Sequence, residues 1–60
     1  MITVTLMLPD GRSRSMTAPA VPRRGEFLAI EETEFEVQDV AWSEDRQGQL
    51  APQVILIRMS

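Results

Sequence analysis

The sequence predicts an all-β domain, a five-stranded antiparallel small barrel, on the basis of three observations. Residues 2–8 alternate between aliphatic residues and mostly threonine with a period of two, as in a strand with one buried face. Two prolines and a glycine within residues 19–25 exclude a helix there. Residues 34–42 carry valine and aromatic side chains in a pattern that favours a long, bent strand. Sixty residues accommodate one domain, covering 1–60.

The first two predicted strands form a hairpin. Ile2, Val4, Leu6 and Leu8 share the inward face of the first strand. The segment 9–11, with the sequence Pro-Asp-Gly, has the composition of a turn, so residues 12–18 should return antiparallel. This second strand is polar and charged, with Met16 and Ala18 as its inward candidates. We expect it at an edge of the sheet, where charge discourages unwanted pairing.

The middle of the chain is predicted to contain a long loop, a short strand and the longest strand. The loop covers 19–25, the short strand 26–30, a tight polar turn 31–33 and the long strand 34–42. Glutamate favours helices, so a helix over 31–42 is an alternative. The β-branched and aromatic residues of this segment, and the absence of a clear N-cap, favour the strand.

The long strand contains a change of phase. Phe35 and Val37 share one face, whereas Val40 and Trp42 share the opposite face. A β-bulge near Gln38 and Asp39 restores a single inward face. Bulges of this kind let a small sheet curl towards a barrel.

The C-terminal part is predicted to be a polar loop followed by a central strand. Residues 43–53 include Gly48 and Pro52, which favours a loop or a wide hairpin. Residues 54–59 are almost continuously apolar until Arg58. Such a run is typical of a strand that is buried on both faces.

This strand plan resembles the SH3-like small barrels, including phage and bacterial modules with that fold. The turn 22–26, with the sequence Pro-Arg-Arg-Gly-Glu, leads into a short strand and then into the segments 35–37 and 40–42. The resemblance covers most of the chain and implies a fold, whereas it does not identify a function. An open five-stranded sheet that pairs with a second copy is the alternative with the same strands.

The residue types needed for most catalysis are missing from the chain. It contains no cysteine, histidine, lysine or tyrosine. A Cys–His or Ser–His nucleophile pair, a zinc site and a phosphate loop with its lysine all depend on these residues. We therefore expect a protein that is not an enzyme and that has no cofactor and no metal site.

The net charge of −3 conceals an asymmetry. Residues 1–24 hold four arginines and one aspartate, a net charge of +3, and residues 25–60 hold two arginines and eight acids, a net charge of −6. The acids concentrate in a predicted stripe formed by Glu32, Glu34, Glu36 and Asp39. A solvated strand face explains this stripe, and a hard-cation or paired acid–base site is the alternative.

Four arginines form the predicted basic patch: Arg12, Arg14, Arg23 and Arg24. They could contact phosphates, or they could keep an edge strand soluble. Both phenylalanines are assigned to the core, which leaves no stacking platform for single-stranded nucleic acid. The sequence therefore argues against nucleic acid as a partner.

Trp42 has two interpretations. In its inward phase it would close one end of the core with a large apolar area. Next to the polar loop it would instead be a partly exposed anchor for a partner protein.

The sequence therefore favours a non-catalytic protein-interaction module that binds a partner protein or associates with its own copy. An alternative is an acidic phage or mobile-element accessory protein that inhibits a host nucleic-acid-binding protein by mimicking nucleic acid with its carboxylates. This mimicry requires one continuous surface formed by Glu32, Glu34, Glu36, Asp39, Glu44 and Asp45. Weak nucleic-acid binding through the arginines is a third hypothesis. A cytoplasmic location without membrane contact is expected, because no apolar run approaches about 20 residues and no signal-peptide pattern is present.

Overall fold

Five strands form one curled sheet in the computed structural model, which describes residues 1–59. The strands are β1 (Ile2–Met7), β2 (Ser13–Ala18), β3 (Phe27–Ile30), β4 (Thr33–Glu44) and β5 (Leu50–Arg58). Their order across the sheet is β2-β1-β5-β4-β3, and the sheet curls into a half-barrel. The predicted all-β class and the number of strands are therefore confirmed.

The expectation of a fully antiparallel sheet is wrong for one pair of strands. β1 and β5 are parallel, whereas the other three neighbouring pairs are antiparallel. Five strands that alternate in direction along the chain leave the first and the fifth pointing the same way, so they are parallel when they become neighbours. The same alternation makes the two edge strands, β2 and β3, run in opposite directions.

The β1–β2 hairpin forms where the sequence predicts it. The Leu8 amide donates to the Arg12 carbonyl at 2.8 Å, and the Gly11 amide donates to the Leu8 carbonyl at 3.0 Å. Gly11 has φ of 92°, a conformation that residues with a side chain rarely adopt. β2 lies at an edge of the sheet, which confirms the inference from its polar sequence.

A two-residue turn joins β3 to β4. Ile30 pairs with Thr33, so Glu31 and Glu32 are the central residues of the turn. Their φ angles are 50° and 69°. Positive φ at both central positions is the signature of a type I′ turn, which matches the right-handed twist of the strands but normally selects Asn-Gly.

The predicted β-bulge is present in β4. Val37 pairs with Leu56, and the next paired residue of β4 is Asp39, opposite Ile55. The loop before β3 is attached at the same point, because the Gly25 amide donates to the Val37 carbonyl at 2.9 Å. The bulge lets residues on both sides of it contribute to one inner face.

The connection between β4 and β5 is shorter than predicted. Residues 43–44 and 50–53 belong to strands, which leaves a turn at 45–49. The Asp45 amide donates to the Gln49 carbonyl at 2.8 Å, and the Asp45 carboxylate accepts from the amides of Gln47 and Gln49 at 2.8 and 2.9 Å. One aspartate thus supplies the bonds of the turn, and the polar residues beside it can pair as strands.

The core lies on the inner face of the three middle strands. Its six buried side chains are Val4, Leu6, Phe35, Val37, Val54 and Leu56. Phe27, which was assigned to the core, is 61% exposed, because Leu28 and Ile30 occupy the inward phase of β3. Ile2 and Met16 are also more exposed than predicted, near the ends and edge of the sheet where fewer strands surround them.

β5 is the central strand, as its apolar sequence predicts, but it is not buried on both faces. Val54 and Leu56 lie in the core, whereas Ile55 is half-buried and Ile57 is 37% exposed on the outer face. No second layer of structure covers this face in residues 1–59, because all five strands belong to the one sheet. Over the same residues, no helix has the length and apolar character of a membrane span.

Candidate protein-interaction surfaces

The outer face of β4 presents three of the four acids of the predicted stripe. Glu34 and Glu36 alternate with the buried Phe35 and Val37, so they point away from the core. Asp39 follows the bulge and pairs with Ile55, which is also on the outer face. Glu32 lies apart from them, in the turn before the strand. The sheet thus brings together Glu34, Glu36 and Asp39.

Exposed apolar residues flank these acids on both sides. Glu36 pairs with Phe27 of β3 and with Ile57 of β5, so the three side chains lie in one row across the outer face. Phe27 is 61% exposed and Ile57 is 37% exposed. We call Phe27, Ile57, Glu34, Glu36 and Asp39 the outer patch. The sequence does not reveal its apolar members: β3 is too short for the phase of Phe27 to be read from alternation, and the apolar run around Ile57 predicts burial on both faces.

The acids of the outer patch form no ion pair in the described part of the chain. The two ion pairs found there are Arg12–Asp10 and Arg14–Glu31, at 2.6 and 3.0 Å. No group of three acids within residues 1–59 is arranged as a metal site. The carboxylates of Glu34 and Glu36 are therefore available for cationic groups of a partner, whereas the Asp39 carboxylate also accepts a hydrogen bond from the Val40 amide at 2.9 Å.

The six acids required for nucleic-acid mimicry do not share one surface. Glu44 pairs with Leu50 and has the same phase as Val40 and Trp42, so it points to the inner face of the sheet. Glu36 and Asp39 point to the outer face. The carboxylate of Asp45 is occupied by the amides of its own turn. The strand register therefore does not favour mimicry.

The four arginines of the predicted basic patch are divided between two places. Arg12 and Arg14 line a cavity of about 320 Å³ near the end of β3, where each of them has a carboxylate partner. Arg23 and Arg24 lie in the loop before β3, at the other end of that strand. The structure thus does not bring the four together.

The second pair of arginines lies beside the acidic stripe. A shallow groove is lined by Arg23, Arg24, Asp39 and Val40, with Val21 and Pro22. Basic and acidic residues therefore meet at this point within one chain. The fold therefore does not keep the basic N-terminal part of the chain apart from the acidic C-terminal part.

Trp42 is not part of the core. It pairs with Pro52 in the inner-face phase, yet it is 56% exposed. The reason is that β4 and β5 continue here as a two-stranded hairpin, beyond the residues that pair with β1 and β3. Leu50, its diagonal neighbour on β5, is 68% exposed. We call Trp42 and Leu50 the end patch, and this exposure is compatible with an anchor for a partner.

The half-barrel leaves a seam between its two edge strands. No Cα atom of β2 lies within 8 Å of a Cα atom of β3. A groove of about 140 Å³ lies between the two strands. It is lined by Met16, Thr17 and Ala18 of β2, by Leu28, Ala29 and Ile30 of β3, and by Val4, Leu6 and Pro22.

A charged pair closes one end of the seam. The Arg14 guanidinium donates to the Glu31 carboxylate at 3.0 Å, between the edge strand β2 and the turn after β3. Both side chains are largely solvated, so this ion pair contributes at most about 1 kcal/mol. It is a weak bridge between two edges that share no backbone hydrogen bond in residues 1–59.

One carboxyl group has a lowered pKa. The backbone amide of Arg12 donates to Asp10 at 2.9 Å and is the largest cause of the low Asp10 pKa. Desolvation is the second-largest effect and opposes this lowering, whereas the guanidinium of Arg12 lowers the pKa further through a side-chain hydrogen bond and its charge. This arrangement organises the β1–β2 turn rather than a reactive site.

The fold and these surfaces define a small all-β domain with a curled, half-barrel sheet. No protein-family model, no curated protein and no solved structure shows significant similarity to the chain.

Proposed function

We propose that the chain is a non-catalytic interaction module that binds a partner protein through the outer patch. The observation that carries this proposal is the row formed by Phe27, Glu36 and Ile57, which exposes an aromatic and an aliphatic side chain around a carboxylate. Isolated exposed apolar residues are ordinary, whereas neighbouring ones rimmed by charge are typical of binding surfaces.

The energetics of a small domain support the proposal. A fully buried phenylalanine or isoleucine side chain gains about 1.5–3 kcal/mol relative to an exposed one. A 60-residue domain has little stability to spare, yet eight large hydrophobic side chains are exposed in residues 1–59 against six in the core. A partner that covers Phe27 and Ile57 buries part of this exposed apolar surface and thereby stabilises the domain.

The charges specify the kind of partner. Glu34, Glu36 and Asp39 form no ion pair within residues 1–59, so a surface with arginine or lysine beside apolar side chains complements the outer patch. A second copy of the chain is one such candidate, through the loop that contains Arg23 and Arg24. We further propose that the chain is a variant of the SH3-like barrel and that it acts in the cytoplasm as a phage or bacterial accessory protein.

The test is a pull-down from a native lysate with matched variants, together with light scattering of the purified chain at low salt. Phe27→Ser should abolish capture of the partner, or dimer formation if the partner is a second copy. Leu50→Ser removes a similarly exposed side chain outside the outer patch and should leave binding unchanged.

Two other results would contradict the proposal in different ways. Loss of binding with Leu50→Ser and Trp42→Ser, but not with Phe27→Ser, assigns the interaction to the end patch instead. A strict monomer that captures no protein overturns the interaction module itself.

A further inference from the structure

We propose that the seam between β2 and β3 is a second binding site, which accepts one short extended polypeptide segment as a sixth strand. The proposal goes beyond the outer patch, because the seam lies between the two sheet edges and contains different residues. Its occupant is an uncharged segment with one large apolar side chain. The separation of the two edges, their lack of a strand neighbour on one side and the size of the groove carry the inference.

The two edges of the seam are farther apart than directly paired strands, as the insertion of one strand requires. Neighbouring strands lie about 4.7–4.9 Å apart, so two edges with one strand between them are separated by about 9.5 Å. Directly paired residues would have Cα atoms about 4.5–5.5 Å apart. Since no Cα atom of β2 is within 8 Å of one of β3, the edges are too far apart to pair with each other.

Both walls of the seam can form a ladder with such a segment. β2 and β3 are the two ends of the sheet, so each has one side without a strand neighbour. Three consecutive residues of each edge strand line the groove, so side chains that point to opposite faces of the sheet both contribute. This is expected when the groove runs along the edges of the strands and not only over one face. Unpaired edges of this kind are templates for strand addition.

The chemistry of the groove specifies the occupant. Its lining is apolar apart from Thr17, with the core residues Val4 and Leu6 among the lining residues. A cavity of about 150 Å³ with apolar walls holds a benzene-sized group, and this groove has about 140 Å³. One phenylalanine, leucine or isoleucine side chain therefore fits. The charges of Arg14 and Glu31 compensate each other at the end of the seam, so no charge is needed on the segment.

A folded second copy cannot supply this strand. An inserted strand must have both of its edges free in order to pair with β2 and β3. Every strand of this fold already has at least one neighbour in its own sheet. Pairing of β3 with β3 of a second copy would moreover place Glu26 opposite Glu31, which is unfavourable for like charges. The proposed occupant is an extended segment of a separate polypeptide, which can offer both of its edges.

The first experiment screens the immobilised full chain against a displayed library of random octapeptides. We expect enriched peptides with one large apolar residue between β-branched residues. Met16→Glu places a charge in the groove and should weaken their binding at least about tenfold, since a buried unpaired carboxylate costs more than the 1.4 kcal/mol that this factor represents. Leu50→Glu, the same kind of change outside the seam, should leave their affinity within about twofold.

Hydrogen exchange of the complex distinguishes insertion from simple edge addition. With the best library peptide bound, amides of both β2 and β3 should become protected. Protection of one edge alone, equal binding to the Met16→Glu variant, or a library without any binder would each overturn the proposal.

A cross-linking experiment tests the open seam without any ligand. Thr17→Cys and Ala29→Cys together introduce the only two thiols of the chain. Disulfides require Cα atoms within about 7 Å, so mild oxidation should give no intramolecular disulfide. Rapid formation of that disulfide in the free protein would show that the edges close on each other, and the seam would then hold no strand.

The two proposals can fail separately. Phe27→Ser tests the outer patch and leaves the groove unchanged, whereas Met16→Glu changes the groove and leaves the outer patch unchanged. A partner captured by the wild type and by Met16→Glu, but lost with Phe27→Ser, supports the outer patch only. Loss of library peptides with Phe27→Ser and not with Met16→Glu would contradict the seam.

Discussion

Glu31 and Glu32 adopt a backbone conformation that lowers the stability of the fold locally. Both have positive φ in the two-residue turn between β3 and β4. A left-handed conformation costs an L-residue with a side chain roughly 1–2 kcal/mol. Glu31 is held there in part by Arg14, whereas Glu32 has no ion pair among residues 1–59. The turn is consequently a place where substitution can stabilise the protein.

Glu32→Gly should raise the free energy of unfolding by about 1 kcal/mol, because glycine adopts positive φ without the steric cost. Urea denaturation followed by tryptophan fluorescence measures the change. Glu34→Gly is the matched control: the same substitution within β4 should lower stability by about 0.5–1 kcal/mol. A destabilised Glu32→Gly variant would show that the side chain of Glu32 contributes more than its backbone costs.

The Asp10 carboxyl group gives a prediction about pH. Its pKa is lowered in the folded state, first by the amide of Arg12. A lowered pKa contributes stability that is complete above the pKa of the unfolded chain and is lost as the pH falls through the folded pKa. We expect ¹³C NMR to show Asp10 titrating at lower pH than in the unfolded chain. Asp10→Asn should remove this part of the acid sensitivity.

Arg12→Ala separates the causes of the low pKa. The variant keeps the backbone amide, which is the largest cause, so the Asp10 pKa should stay below its value in the unfolded chain. A return of the Asp10 pKa to its value in the unfolded chain would assign the effect to the guanidinium instead.

At the scale of elements, the bulge in β4 decides which side chains share a face. The sequence predicted it from the opposite phases of Val37 and Val40, and the register shift lies between Val37 and Asp39. The strong phase signal made this prediction possible. The limits of the next turn could not be predicted in the same way, because the polar residues 43–44 become strand only by pairing with β5.

Deletion of Gln38 should lower the free energy of unfolding without preventing folding, because it removes the extra residue of the bulge and with it the local bend and twist of β4. Val37 and Val40 would then be two residues apart, so Val40 stays on the inner face, where it packs against the core. Circular dichroism and thermal melting measure the loss. Deletion of Ala20, in the long loop before β3, is the matched control and should retain a cooperative transition. Equal stability of the two deletions would show that the bulge is dispensable.

At the scale of the whole molecule, stability depends on six core residues from only three strands. Leu56→Ala should lower the free energy of unfolding by about 2–5 kcal/mol, since Leu56 is 2% exposed. A domain of this size has little stability in reserve, so a large part of the variant should be unfolded at 37 °C.

Leu50→Ala is the control for that prediction. Leu50 is 68% exposed, so its removal should change stability by no more than about 0.5 kcal/mol. Similar losses for both leucines in thermal melts would mean that the end patch is buried in solution, for instance by a second copy.

The sequence by itself determined the elements of this protein: the strands, the hairpin at Pro9, the bulge near Gln38 and the polar edge strand β2. These depend on periodicity and turn chemistry, which act over a few residues. It also determined that the residues of most catalytic sites are absent.

The tertiary structure alone decided which distant residues become neighbours. It made β1 and β5 parallel, exposed Phe27 and Trp42, divided the arginines between two places and left a seam between β2 and β3. Strand order and curvature fix these features, and both arise from pairing between segments far apart in the chain. The barrel that the sequence predicted is thus open on one side, because its two edge strands lie too far apart to pair with each other.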